Sequence, residues 1–192
     1  SRIIFERDVR ARVEALAPFL TWDADVYPVV IDGRISYIVD GYTTTPNYPY
    51  AQRVDLTDTA DLPAGSGLSG VPFNYVRNSV KAVIDAYDGT VTMYVVDNDD
   101  PVIKAWDAAF PSLFTPGNEA DGTELEKHFR YPQELFRVQT SMYGQYRVTD
   151  PNQFYGRQNV WSVAQDPGRR VFTEGEVANT TPVTNAQGIQ EG

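Results

Sequence analysis

The sequence predicts an α+β fold: antiparallel hairpins forming a sheet, with helices packed on one face of it. Two observations carry the hairpins and one carries the helices. Asp32-Gly33 and Asp88-Gly89 each interrupt an apolar, alternating run, and Asp-Gly supplies the left-handed conformations that a two-residue turn requires. Between residues 101 and 148, apolar side chains recur instead at the helical period.

Taken in order, "IIFERDVRARVEALAPFL" places Phe5, Val9, Val13 and Leu16 on one helical stripe, and Pro18 ends the run. In "VYPVVIDGRISYIV" the Asp32-Gly33 turn sets Val30 opposite Ile35 and Val29 opposite Ser36. A second Asp-Gly at residues 40 and 41 leads into "YTTTPNYPYAQ", which lacks a strand pattern and reads as loop. Residues 55 to 72 are rich in Gly, Pro, Ser and Asp without periodicity, so they form an exposed excursion. In "VKAVIDAYDGTVTMYVV" a two-residue turn at Asp88-Gly89 pairs Tyr87 with Thr90. That register puts Ala82, Ile84, Ala86, Val91, Met93 and Val95 on a core face.

Three helices follow. "PVIKAWDAAF" carries Val102, Ile103, Trp106 and Phe110 on a stripe. "TELEKHF" begins with a capping box formed by Thr123 and Glu126. "PQELFRVQTSMYGQY" has Leu135, Val138 and Met142 at helical spacing and is the longest. Asp150-Pro151 caps a further short turn. From Ala164 the apolar residues follow no period, so residues 1–163 form the domain and 164–192 an extended or disordered tail.

Composition excludes several functions. A net charge of -10 leaves no basic face for phosphate, which argues against nucleic acid. The absence of cysteine removes disulfides, thiolate metal sites and thiol nucleophiles. One histidine, His128, cannot form the usual multi-histidine metal site. We read it as structural or on the surface, within reach of Glu124 four residues earlier on the same helical face. No apolar run approaches the ~20 residues that span a bilayer. No nucleophile-elbow, zincin, P-loop or dinucleotide motif occurs, so no cofactor is expected.

The blocks "NYVRNSVKAVIDAYDGTVTMYVVDNDDPVIKAW", "AFPSLFTP", "LEKHFRYPQELFRVQTSMY" and "VTDPNQFYGRQNVW", with "FLTWDADVYPVVIDGRISYIVDGYTTT" upstream, resemble the UPF0182 family. These are large, uncharacterised multi-pass membrane proteins of actinobacteria and cyanobacteria. The resemblance covers about residues 3 to 163 and implies a fragment of the soluble region that follows the membrane spans. It places this segment outside the cytoplasmic membrane, as part of a cell-membrane protein. It implies as partners the remainder of that protein, and envelope proteins or glycans. The family has no established catalytic or binding residues, so none is carried over.

Candidate sites are therefore argued locally. The run Asp97, Asn98, Asp99 and Asp100 has the oxygen ligands of a calcium site, and Asp97, Asp99 and Asp100 are its candidate metal ligands. The EF-hand spacing fails, because Val102 stands where that loop needs glycine. A strand end followed by an Asp100 cap and Pro101 at the first helical position is the favoured reading, a cap worth about 0.5–2 kcal/mol. Tyr42, Asn47, Tyr48 and Tyr50 share a stretch read as loop and form a candidate ligand or partner surface. The expected function is an extracytoplasmic interaction domain. The alternative is a cell-envelope enzyme acting on glycan or lipid through carboxylates such as Asp85 or Asp97.

Overall fold

A computed structural model of the chain describes residues 7–54, 56, 62–63, 65–70, 72–156 and 161–163. The expected tail, residues 164–192, lies outside the described residues, as does Phe5 of the first helix.

The architecture is α+β. A six-stranded sheet runs in the order β1 (Thr21–Trp22), β3 (Arg34–Thr45), β4 (Tyr75–Asp85), β5 (Val91–Val95), β6 (Phe114–Pro116), and β2 (Tyr27–Ile31) also pairs with β3. All pairings are antiparallel except β5 with β6. Helices α1 (Val9–Leu16), α2 (Pro101–Ala109), α3 (Gln133–Tyr146) and α4 (Pro151–Tyr155), with 3₁₀ turns at Gly117–Glu119 and Glu126–His128, complete the described elements.

The sheet has an apolar core on each side. Val39, Val80, Ala82, Ile84, Met93 and Val95 face Val13 of α1 and Ile103 of α2. On the opposite face Ile38 packs with Tyr27, Val29 and Leu125, while Tyr42 packs with Leu135 and Val138 of α3. The helices thus divide between the two faces, which a sheet needs when both of its surfaces are largely apolar. Each fully buried aliphatic side chain contributes roughly 1.5–3 kcal/mol relative to exposure.

The first hairpin forms as expected. Ile31 pairs with Arg34 and Val30 with Ile35, and Asp32 and Gly33 take φ of 49° and 74°. The second hairpin differs. Thr90 lies opposite Asp85, whose N–H donates to the Thr90 carbonyl at 2.9 Å, and not opposite Tyr87. The loop is lengthened because the Asp85 carboxylate accepts from the backbone N–H groups of Tyr87 and Asp88. Sliding by two residues preserves side-chain alternation, so Ala82, Ile84, Met93 and Val95 still reach the core.

Two other expectations are corrected. The start of "YTTTPNYPYAQ" after Asp40-Gly41 is not loop: β3 continues to Thr45, because β1 and β4 supply partners on both edges. A Cβ on Gly41 would lie 2.8 Å from the indole of Trp22, so the glycine makes room for a buried ring. "TELEKHF" forms only a 3₁₀ turn at Glu126–His128. Its capping box is not made: Glu126 accepts from the Gly122 N–H, and the Thr123 hydroxyl donates to the Ala120 carbonyl.

Candidate functional site

A β-bulge organises the site. The pairing of β3 with β4 shifts beside Gly41, so that Gly41 pairs with Val80 and Tyr42 with Asn78. Without the extra residue, Asn78 and Lys81 would point to opposite faces. With it, both reach the Asp40 carboxylate: Lys81 Nζ forms a buried ion pair with it and Asn78 Nδ2 donates at 3.1 Å. Lys81 Nζ also donates to the Arg130 carbonyl at 2.8 Å, tying the strand to the segment before α3. Burial pushes the Asp40 carboxyl above its usual range, against the pull of the Lys81 charge.

Beside this pair lies an open groove of about 550 Å³. Val76, Arg77 and Asn78 of β4 form one side, and Leu135 and Gln139 of α3 the other. The strap of residues 129–132 crosses one end. Its Tyr131 hydroxyl donates to Gln139 Oε1 at 2.6 Å, and its Arg130 guanidinium stacks 4.6 Å from the Tyr27 ring centre. The Tyr27 phenol is pushed up to about 12, by burial first and by the Asp40 charge next, so it stays protonated at neutral pH. Asp97 is the carboxylate in the groove wall and pairs with Arg77 at 3.0 Å.

The β4 edge here has no strand beside it among the described residues. Pairing with β5 begins at Val80 opposite Val95, and after the Val96 N–H donates to the Ser79 carbonyl the chain turns away. Tyr75 to Asn78 are therefore paired with β3 alone.

The acidic run is dispersed among separate partners. Asp100 is fully buried; it accepts from the hydroxyls of Thr43, Ser79 and Tyr75 and from the Val102 N–H at the start of α2. Burial works against its charge, but these four donors hold the carboxyl below its usual range. Asp97 faces Arg77 and accepts from the Asp99 N–H, and Asp99 is exposed. Among the described residues, no group of three or more His, Cys, Asp or Glu is arranged to hold a metal ion.

The expected tyrosine surface is also divided. Tyr42 is fully buried and donates to Asp23, so it is no part of a surface; its strand lies between two others. Burial, with the neighbouring Asp23 charge, pushes its phenol far up. Tyr48 is half exposed and stacks on Tyr75 at 5.2 Å, Asn47 accepts from Arg53 at 3.2 Å, and Tyr50 is fully exposed at φ 57°. Asn74 pins this loop by binding the backbone of Tyr48 and Ala51. His128 Nε2 lies 4.0 Å from Glu124 and makes no hydrogen bond among the described residues. Asp85 sits at the other end of β4 from the groove and pairs with Arg34 at 2.8 Å.

Sequence reasoning missed Asp40, Asn78, Lys81, Arg130 and Glu134. One signal was available: Asp40 in "YIVDGY" and Lys81 in "SVKAVI" are single opposite charges inside apolar strands, which burial permits only if they pair. Glu134 is completely buried and accepts from the Ala24 N–H at 2.8 Å and the Ser66 hydroxyl at 2.7 Å. Burial raises its carboxyl, against those two donors.

Residues 1–185 match the profile of the Uncharacterised protein family UPF0182. The chain is 49% identical over 171 residues to a UPF0182 protein of Rhodococcus erythropolis, covering 87% of this chain and 18% of that one. It is 48% identical over 172 residues to a UPF0182 protein of Paenarthrobacter aurescens, and 50% over 172 residues to one of Salinispora tropica, in each case 87% of this chain and 17% of the relative. The chain thus spans less than a fifth of the length of these curated relatives. No solved structure matches it.

Proposed function

The chain belongs to the UPF0182 family, and from that premise we propose that it is an extracytoplasmic interaction domain of a multi-pass membrane protein, docking on the rest of its own chain. The observation that carries the reading is the open groove beside the edge at Tyr75–Asn78, which no strand among the described residues pairs on its outer side. An edge strand left open is a template for another strand, and soluble proteins normally cover or blunt it. More than four-fifths of each relative lies beyond the matched segment, so its own chain is the surface this domain meets at highest effective concentration.

The enzymatic alternative has less support. Catalysis by paired carboxylates needs two carboxyl groups flanking one bond. The groove wall offers Asp97, engaged by Arg77, while Asp85 is at the far end of its strand.

Photo-crosslinking tests the reading. A photoreactive residue replaces Gln139 in the groove, or Glu14 on α1 as a control, in a full-length UPF0182 protein in its native membrane. Crosslinks from position 139 to a distant part of the same chain, exceeding those from position 14, support own-chain docking. Crosslinks from position 139 to a separate envelope protein or glycan replace that partner assignment. Equal yields from both positions remove the groove as an interaction site.

A further inference from the structure

We infer that Glu134 is a proton-operated clamp on the groove: with a proton it holds the first turn of α3 against the sheet, and without one it loosens that turn and the groove wall that continues from it. The inference rests on the interaction-domain reading and specifies how docking at that groove is regulated.

Helix geometry supplies the first argument. Pro132 stands at the N-cap of α3 and offers no side-chain cap. Asp23, in the connection between β1 and β2, takes that part. Its carboxylate accepts from the Glu134 N–H at 3.4 Å, as well as from the Asp25 N–H at 2.8 Å and the Tyr42 hydroxyl. The Glu134 side chain adds a second tie, accepting from the Ala24 N–H at 2.8 Å and the Ser66 hydroxyl at 2.7 Å. The same turn carries Leu135 to the groove, with Gln139 one turn further on, so a change at Glu134 is felt in that wall.

Charge supplies the second. Glu134 is fully buried, and the two groups that donate to its carboxyl are neutral. Of the charged groups that face it, Asp23 opposes an ionised Glu134 and Arg10 of α1 favours one. Arg10 is itself engaged by Glu14 at 2.8 Å and by the carbonyls of Gly65 and Trp22. From β3 come Tyr42, whose phenol stays protonated, and Asp40, whose charge is met by Lys81. The helix N-terminus and the two donors favour a charge on Glu134, but burial outweighs them and lifts the carboxyl above its usual range. Ser66 suits both states, because a hydroxyl donates to an ionised carboxyl and accepts from a protonated one. Its oxygen accepts the Leu68 N–H and has room for one more donor. Taking a proton therefore breaks no hydrogen bond at Glu134 and removes its repulsion with Asp23. That gain is fully present below the ordinary glutamate value of 4.5 and is lost as pH rises through the raised one. A fixed wall loses less entropy when a partner docks, so docking is favoured in the protonated state.

The test follows the Glu134 side-chain carboxyl by carbon NMR in the 192-residue chain as pH is varied. Exchange of the Phe136, Arg137 and Val138 amides, corrected for the intrinsic pH dependence of exchange, reports opening of the first turn. The expected titration midpoint lies above 4.5, and protection of those amides should drop several-fold between about pH 5 and about pH 8. In Glu134→Gln, which keeps the shape and both hydrogen bonds without titrating, the drop should vanish. A midpoint at or below 4.5, measured in the wild type alone, overturns the clamp, as does a drop that is absent or that persists in Glu134→Gln. In a full-length UPF0182 protein the crosslink from position 139 should be stronger at the lower pH. Equal yields at the two pH values remove the regulation and leave the interaction-domain reading standing, whereas no crosslink above the position 14 control at either pH removes both.

Discussion

Asp100 is where a local signal and a global arrangement meet. Its role as helix cap is legible from "DDPV", since an aspartate before a proline matches the cap and first position of a helix. Its other partners are not, because Thr43, Ser79 and Tyr75 lie 57, 21 and 25 residues away and only sheet register brings them together. Asp100→Ala should therefore cost more than a lone cap, about 3 kcal/mol or more, since it strands buried hydroxyls as well as the Val102 N–H. The folded carboxyl titrates below its unfolded value, so its charge stabilises the fold above the ordinary aspartate range, near 4, and that contribution is lost as pH falls. Denaturant titrations of wild type and Asp100→Asn should show the gap between them narrowing below about pH 4. A constant gap would mean the carboxylate is not held by these donors.

Lys81 makes the same point for a buried pair. Lys81→Met should destabilise by about 3–5 kcal/mol by leaving Asp40 without its counter-ion, and adding Asp40→Asn should recover part of the loss. Additive losses in the double variant would deny the coupling.

At the level of elements, the hairpins were readable where the turn is local and misplaced where a side chain intervenes. Asp32-Gly33 sets its register from two residues with positive φ. At Asp88-Gly89 only the glycine has positive φ, 71°, and the Asp85 carboxylate organises a longer loop. Gly33→Val and Gly89→Val should each lower stability by more than about 1 kcal/mol, because a β-branched residue fits poorly at positive φ. The Gly89 variant should suffer more, since the Arg12 guanidinium, 2.6 Å from where the Cβ would stand, must swing away and give up its hydrogen bond to the Gly89 carbonyl, whereas nothing crowds Gly33. Thermal unfolding of both variants checks the order. The second half of β3 was unreadable because Thr43, Thr44 and Thr45 have no apolar alternation, and their strand state comes from pairing with β4.

For the whole molecule, α+β class followed from turn chemistry and helical period, but the groove did not. It forms where β5 ends short of the first residues of β4 and the strap before α3 closes one end, an outcome of differing strand lengths that no motif records. Asp97 was singled out as a possible ligand and does line the groove, though as the partner of Arg77. We propose that the edge at Tyr75–Asn78, whose outer side pairs with no strand among the described residues, is covered in the complete protein. Hydrogen–deuterium exchange of the 192-residue chain beside a full-length UPF0182 protein measures this directly. Amides of residues 75–78 that exchange markedly more slowly in the full-length protein, while those of the Asp85–Thr90 loop exchange alike in both, are the predicted result. Equal exchange at residues 75–78 in the two proteins would contradict it.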